Sequence, residues 1–248
     1  LKEMKRLLLL SLVVLSAVAC KTITPETRIA QIDQFFNGKE AIYSAKLQQF
    51  TGEKQLDYLT LQLMQELGAK DLWTLEDDGQ QVLVAEFPGK EKKNPQISLI
   101  SASLDDPTAC ATILEVLEAY KKIKIQHKNT IRALFYSPAA DSTGRNGLSL
   151  ANRDIRESAE MVQFDIELSS RGDQPKHTFV LDESPVFAKT LIEVIPGYMT
   201  PLGNFKLVQG TYPNAAWPMK CPIYRYQLTA DDFQKEAAAM TAFTFLLN

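Results

Sequence analysis

Seven consecutive residues, Thr130-Ile131-Arg132-Ala133-Leu134-Phe135-Tyr136, make an almost unbroken apolar run of strand length. A strand that is apolar on nearly every position is covered on both faces, which is the situation inside a largely parallel sheet flanked by helices. Two further strand-length runs precede it, Gln81–Phe87, closed by the turn pair Pro88-Gly89, and Ile97–Ser101. Helical spacing fills the gaps. Leu56, Leu59, Leu63 and Leu67 recur within 55–67 before Gly68 stops the helix, and Ala109, Ile113, Val116, Leu117 and Tyr120 line one face of 108–123. Downstream, 147–160 reads as helix, 161–168 as strand, 177–181 as strand and 184–195 as helix. A short strand at 222–227 and a helix over 231–247, capped by Thr229, close the pattern. Strand and helix alternate throughout. The predicted fold class is α/β, a three-layer α/β/α sandwich around a mixed, largely parallel sheet. Such sheets bind ligands at the C-terminal ends of their strands.

Composition narrows the function classes. A net charge of −3 leaves no basic excess to hold nucleic acid, so none is expected as a partner. The first twenty residues stand apart from the fold. Lys5-Arg6 is a positive start, Leu7 to Val18 is apolar but too short for a membrane span, and Ser16-Ala17-Val18-Ala19-Cys20 supplies small residues before a cysteine. The order resembles a bacterial lipoprotein signal, which implies lipidation of Cys20, export, and attachment to a membrane of the cell envelope. A plain secretory signal cleaved after Ala19 is the alternative. The expected organisation is a signal peptide and lipobox over 1–20, a lead-in with a helix over 21–54, and one α/β domain over 55–248. Cys110 and Cys221 then remain, and separate buried thiols are expected of them rather than a bridge.

Several segments resemble a known family. Asp57-Tyr58-Leu59 through Leu67-Gly68-Ala69, the strand Val82 to Gly89, and Leu99-Ile100-Ser101-Ala102-Ser103-Leu104-Asp105 follow one another as in the bacterial zinc aminopeptidases and glutaminyl cyclases. Arg132 to Tyr136, Phe164-Asp165, and Thr211-Tyr212-Pro213-Asn214 before Cys221-Pro222 continue the match toward the C-terminus. The resemblance implies the sandwich fold, two zinc ions at the strand ends, and a glutamate acting as general base.

The same resemblance marks what this chain lacks. Ser103 stands where the family has a zinc-binding histidine. Ala139 and Ala140 replace its two glutamates, and Pro213 replaces its last histidine. Serine, alanine and proline side chains are not zinc ligands, and alanine cannot deprotonate water. The surviving carboxylates are Asp105, Asp106 and Asp165. They read either as a weak site for Mg²⁺ or Ca²⁺ or as anions serving local backbone amides. No catalytic residue and no cofactor are therefore expected. His127 reads as a solvated surface residue, and His177 opens a strand away from the former site. The hydroxyls of Tyr136, Ser137, Ser142 and Thr143 have no histidine base beside them, which argues against a serine hydrolase. The triplet Arg171-Gly172-Asp173 is ordinary turn chemistry. Tyr212 and Trp217, with Tyr224 and Tyr226, are either pocket aromatics or core.

Two functions follow as expectations. One is an envelope-anchored pseudoenzyme that binds a peptide or protein through the old cleft. The other is a divergent metallopeptidase or glutaminyl cyclase-like hydrolase whose metal ligands have moved.

Overall fold

The computed structural model of the chain describes residues 23–93, 95–138, 147–158, 160–171, 177–182, 188–210, 221–229 and 232–248. Eight strands form one sheet: β1 Asp71–Asp77, β2 Gln80–Phe87, β3 Gln96–Ser103, β4 Thr130–Tyr136, β5 Met161–Ser169, β6 Thr178–Asp182, β7 Lys206–Gly210 and β8 Ile223–Gln227. Their spatial order is β1-β2-β4-β3-β5-β8-β6-β7. The centre, β4-β3-β5-β8, is parallel throughout, and β2 and β6 run against it on either side. The mixed, largely parallel sheet read from the sequence is the sheet observed.

Strands β1 and β2 form a hairpin whose turn residues, Asp78 and Gly79, both take positive φ, +47° and +76°. That is the geometry of a two-residue turn matched to strand twist, and Asp-Gly is its preferred pair. The sequence reading passed over β1 because it lies at the sheet edge and buries no residue fully. It also passed over β7, the opposite edge, where Leu207 alone is buried. Neither shows the alternation that announces a strand.

The helices are α1 Pro25–Phe36, α2 Ile42–Leu47, α3 Glu53–Leu61, α4 Pro107–Lys122, α5 Gly147–Glu157, α6 Ala188–Met199 and α7 Phe233–Leu247. A π-helical turn over Gln62–Leu67 prolongs α3, and Gly68 ends it in the left-handed conformation, φ +80°. Residues 25–54, read from the sequence as a lead-in, are packed into the main core: Ile29, Ile32 and Leu47 are fully buried there. Proline does not end α6 where expected, since Pro196 lies inside it. Thr229 does not cap α7 either. Asp232 does, accepting from the Lys235 amide at 3.3 Å, while the Thr229 hydroxyl donates to Glu236 at 2.6 Å.

Two cores sandwich the sheet. Alternation along each strand sends Ile100, Ala102, Ala133, Phe135, Ile166 and Tyr224 to one face, under α1, α3, α4 and α7. Ile97, Leu99, Val82, Val84 and Leu134 go to the other, under α5. Tyr224 and Tyr226 are core residues rather than pocket aromatics, each 1% exposed. Phe179 stacks on Phe243 with centroids 3.8 Å apart and meets Tyr226 at 4.3 Å. The alanines of α7, Ala237 to Ala239 and Ala242, let that helix approach closely enough for the stack. Arg132, the one charge in β4, is buried with its partners: it donates to Glu86 at 2.9 Å, forms a two-pronged pair with Glu160, and lies 5.3 Å from the Trp73 ring.

Removing the stacked ring should open a cavity that the sheet cannot collapse around. Phe243→Ala is expected to lower unfolding free energy by about 3–5 kcal/mol, read from the urea midpoint at unchanged slope; a loss under about 1 kcal/mol would mean the stack carries little.

Candidate functional site

The C-terminal ends of β3, β5 and β8 lie side by side, and β3 runs from Ser103 through Leu104-Asp105-Asp106 directly into α4. Pro107 at the first helical position cannot donate a backbone bond, so it wastes none there. Asp106 is the cap. Its carboxylate accepts from the Ala109 amide at 3.0 Å, the Ser170 amide at 2.5 Å and the Ser170 hydroxyl at 2.7 Å, with Ser169 Oγ at 3.5 Å. It is only 2% exposed. Both oxygens are thus occupied by protein donors, and the helix N-terminus adds its own positive field.

Asp105 is equally engaged but nearer to solvent. Ser103 Oγ donates to Asp105 Oδ1 at 2.5 Å, and Arg171 Nη1 pairs with Oδ2 at 2.5 Å while its second Nη holds the Asp105 carbonyl. The Arg171 side chain is 63% exposed, so the pair is screened and contributes position more than stability. Arg171 was dismissed with its turn triplet in the sequence. Its place immediately after β5, at a strand end, was the signal that could have found it.

Asp165 does not join these groups. It lies in the middle of β5, paired with Leu99 and Ile223. Ser169 is four positions further on, roughly 13 Å along a strand. It is fully buried, and neither carboxylate oxygen has a hydrogen-bond partner among the described residues. Burial, first, and the neighbouring Glu167 charge push its pKa up to about 8. Asp165 is therefore held mainly as the neutral acid at pH 7.

The thiols are inert by the same physics. Cys110 and Cys221 are both free and buried. Burial drives Cys110 well above the usual thiol range, aided by Asp106 and Asp105, and pushes Cys221 up to about 12, aided by Asp165. His127 is not the solvated residue expected from the sequence: it is half-buried, its Nδ1 2.6 Å from the Asn129 carbonyl. His177, by contrast, starts β6 beside the C-terminal end of β8, with Nδ1 3.2 Å from Glu236 Oε1. Glu236 is fully buried and accepts from Tyr226 and Thr229, whereas His177 Nδ1, though close, makes no hydrogen bond among the described residues. Ala139, Ala140, Tyr212, Pro213 and Trp217 lie outside the described residues, as does Cys20.

With this geometry in place, known structures give a clear likeness. The chain is similar to the LapA aminopeptidase of Legionella pneumophila, with a TM-score of 0.60 and 14% identity over 88% of this chain and 72% of that one. It is similar to the glutaminyl cyclase of Macrostomum lignano, with a TM-score of 0.62 and 15% identity over 88% and 91%. A glutaminyl cyclase from an Acidobacteriales bacterium matches at 0.56 and 10% identity, over 79% and 85%. The fold is that of the zinc aminopeptidases and glutaminyl cyclases. No protein-family model matches the sequence, and no curated protein matches it.

That fold implies zinc, and the described residues do not fit it. Among them there is no group of three or more His, Cys, Asp or Glu side chains placed to share an ion. Ser103 spends its proton on Asp105, Asp105 already faces a guanidinium, and Asp106 is filled by amide and hydroxyl donors.

Two outcomes follow for stability. Asp106→Ala removes a helix cap and strands the Ser170 amide, so it should cost about 2–4 kcal/mol in chemical denaturation; a loss of a few tenths would show that neither role matters. For Asp165 the sign is set by its raised pKa. The folded state holds a proton that the unfolded chain releases near pH 4, so this group's contribution to stability is full below about pH 4 and is lost as pH rises through about 8. Asp165→Asn should remove that slope, at most about 1.4 kcal/mol per pH unit, and should stabilise the protein at pH 8. A variant with the wild-type pH dependence would contradict the assignment.

Proposed function

We propose that this chain is a non-catalytic domain of aminopeptidase fold, lipid-anchored through Cys20 in a bacterial envelope, which binds a peptide or protein segment at the strand ends. One observation carries the reading: the Asp105 carboxylate at the end of β3 is paired with Arg171 and with the Ser103 hydroxyl. A guanidinium on the Asp105 carboxylate offsets the negative charge that a divalent cation would draw on there, and two positive charges so close repel. The Ser103, Ala139, Ala140 and Pro213 substitutions point the same way, because each removes an imidazole or carboxylate that the fold's zinc chemistry uses. The anchor rests on the charge, apolar run and small residues before Cys20.

His177, 3.2 Å from the buried Glu236, favours a second reading, a divergent hydrolase with an imidazole next to a carboxylate at the same end of the sheet. The two readings part in one preparation. The purified domain should contain no stoichiometric zinc, should not release nitroaniline from aminoacyl-nitroanilides, and should not cyclise N-terminal glutamine. About two zinc ions per chain, the content of a dinuclear centre, or turnover abolished by His177→Ala, would replace the first reading with the second. For the anchor, Cys20→Ser should move the protein from the membrane to the soluble envelope fraction or leave it unprocessed; unchanged membrane fractionation would refute lipidation.

A further inference from the structure

The end of the sheet remote from Asp106 is basic, although the chain as a whole carries a net charge of −3. Strand β2 finishes there and β3 starts there, and the connection between them presents Lys90, Lys92 and Lys93. Helix α4 also finishes there, with Lys121 and Lys122 in its last turn and Lys124 just beyond. Backbone bonds hold the two segments together: the Lys90 amide donates to the His127 carbonyl at 3.2 Å, and the Glu91 amide to the Lys128 carbonyl at 2.9 Å. All six lysines are exposed.

None of the six forms an ion pair among the described residues. Lys121 donates to the Glu66 carbonyl at 2.6 Å and Lys90 to the side-chain oxygen of Gln126, both neutral acceptors. Several acids nearby are engaged elsewhere, Glu86 and Glu160 by Arg132 and Asp71 by Lys70 at 3.4 Å. Glu91, which accepts from the Lys93 amide, and the exposed Glu26, Glu66 and Glu157 reduce the positive field without cancelling it. A helix C-terminus favours cations in its last turn. That accounts for Lys121 and Lys122 but not for the four lysines in loops.

The N-terminal segment leads to this same end. Arg28 of α1 donates to the Ile123 carbonyl at 2.8 Å, which fixes the start of α1 beside the end of α4. Cys20 lies four positions before Thr24, the cap of α1, at most about 14 Å of extended chain. Two apolar side chains are exposed here, Ile23 before α1 at 44% and Met161 at the start of β5 at 63%. We propose that this end of the molecule rests on an anionic phospholipid surface. The lysines meet the phosphate headgroups, Ile23 and Met161 reach the boundary with the acyl chains, and the Asp105–Arg171 end faces away from the lipid, about 26 Å off by the length of an eight-residue strand. The inference rests on the anchor reading for what brings the lysines to lipid. Each lysine beside such a surface is worth about fivefold in affinity. A nucleic acid would also meet the lysines, but it has no use for Ile23 and Met161.

The probe is a vesicle of phosphatidylglycerol and phosphatidylcholine in equal parts, mixed with residues 21–248 made without lipid, a chain that keeps every described element. The protein should float with these vesicles at low salt, come off at about 0.5 M salt, and ignore vesicles of phosphatidylcholine alone. Lys92→Glu with Lys93→Glu should weaken binding at least about tenfold. Lys54→Glu with Lys206→Glu makes the same charge change at the other end of the sheet, where Gln55 bonds the Leu104 carbonyl and β7 begins beside His177. It should weaken binding by less than about threefold. Met161→Trp emission should move to the blue when the vesicles are added. Absence of salt-sensitive binding, equal losses in the two double variants, an unmoved Met161→Trp emission, or equally tight binding of a DNA duplex would each overturn the proposal. Fractionation of Cys20→Ser tests the anchor separately, so lipidation can fail while vesicle binding stands, and the reverse.

Discussion

The carboxylate of Asp106 is the point on which this architecture turns. It closes the exposed N-terminus of α4, the longest helix of the main core, and with the same two oxygens it grips the backbone and hydroxyl of Ser170 just beyond β5. Strands β3 and β5 are already neighbours by their ladder. The carboxylate adds a tie between the segments leaving them, where a ligand-binding cleft would otherwise have its loosest walls. Hydrogen bonds to an ionised acceptor are about twice as strong as neutral ones, and burial at 2% exposure shields them from competing water. At this strand end the carboxylates of Asp105 and Asp106 are met by amides, hydroxyls and the Arg171 guanidinium.

Polar groups elsewhere are distributed less favourably, and the contrast is informative. Arg132 sits within an apolar strand but meets two glutamates and an indole, so its burial is compensated. Glu115, fully buried, is met by Lys39, which is itself ringed by Phe35, Phe36 and Tyr43. Asp165 and Tyr120 have no such partners among the described residues. Interiors tolerate few groups of that kind.

Much of this was readable in the sequence, and the failures share a cause. Strand β4 was legible to the residue because both its faces are covered, and α4 because its apolar positions recur at helical spacing. The edge strands β1 and β7 were invisible because burial, the quantity that imprints a pattern on sequence, is small there. The fold emerged from the order of motifs. Arg171 did not, since its partner Asp105 lies 66 positions earlier and no local pattern links them. Nor did the seclusion of Asp165, because a residue's depth along a strand depends on register with its neighbours. The Thr229 cap failed more simply: two oxygen-bearing residues, Thr229 and Asp232, competed for the role, and the geometry of the Glu236 pocket took the threonine.

The strand order has a bearing on how the chain reaches this state. Strand β8, close to the C-terminus of the sequence, lies between β5 and β6 rather than at an edge. Until residues 223–227 arrive, β5 has one open ladder and the β6-β7 pair has no sheet to join. Pairings between residues so distant in sequence carry a large loop-closure cost and form slowly. A chain delivered from its N-terminus therefore passes through a stage in which one edge of a central strand is open, and open edges recruit other chains. The yield of folded protein would then depend on what guards those open edges until β8 arrives.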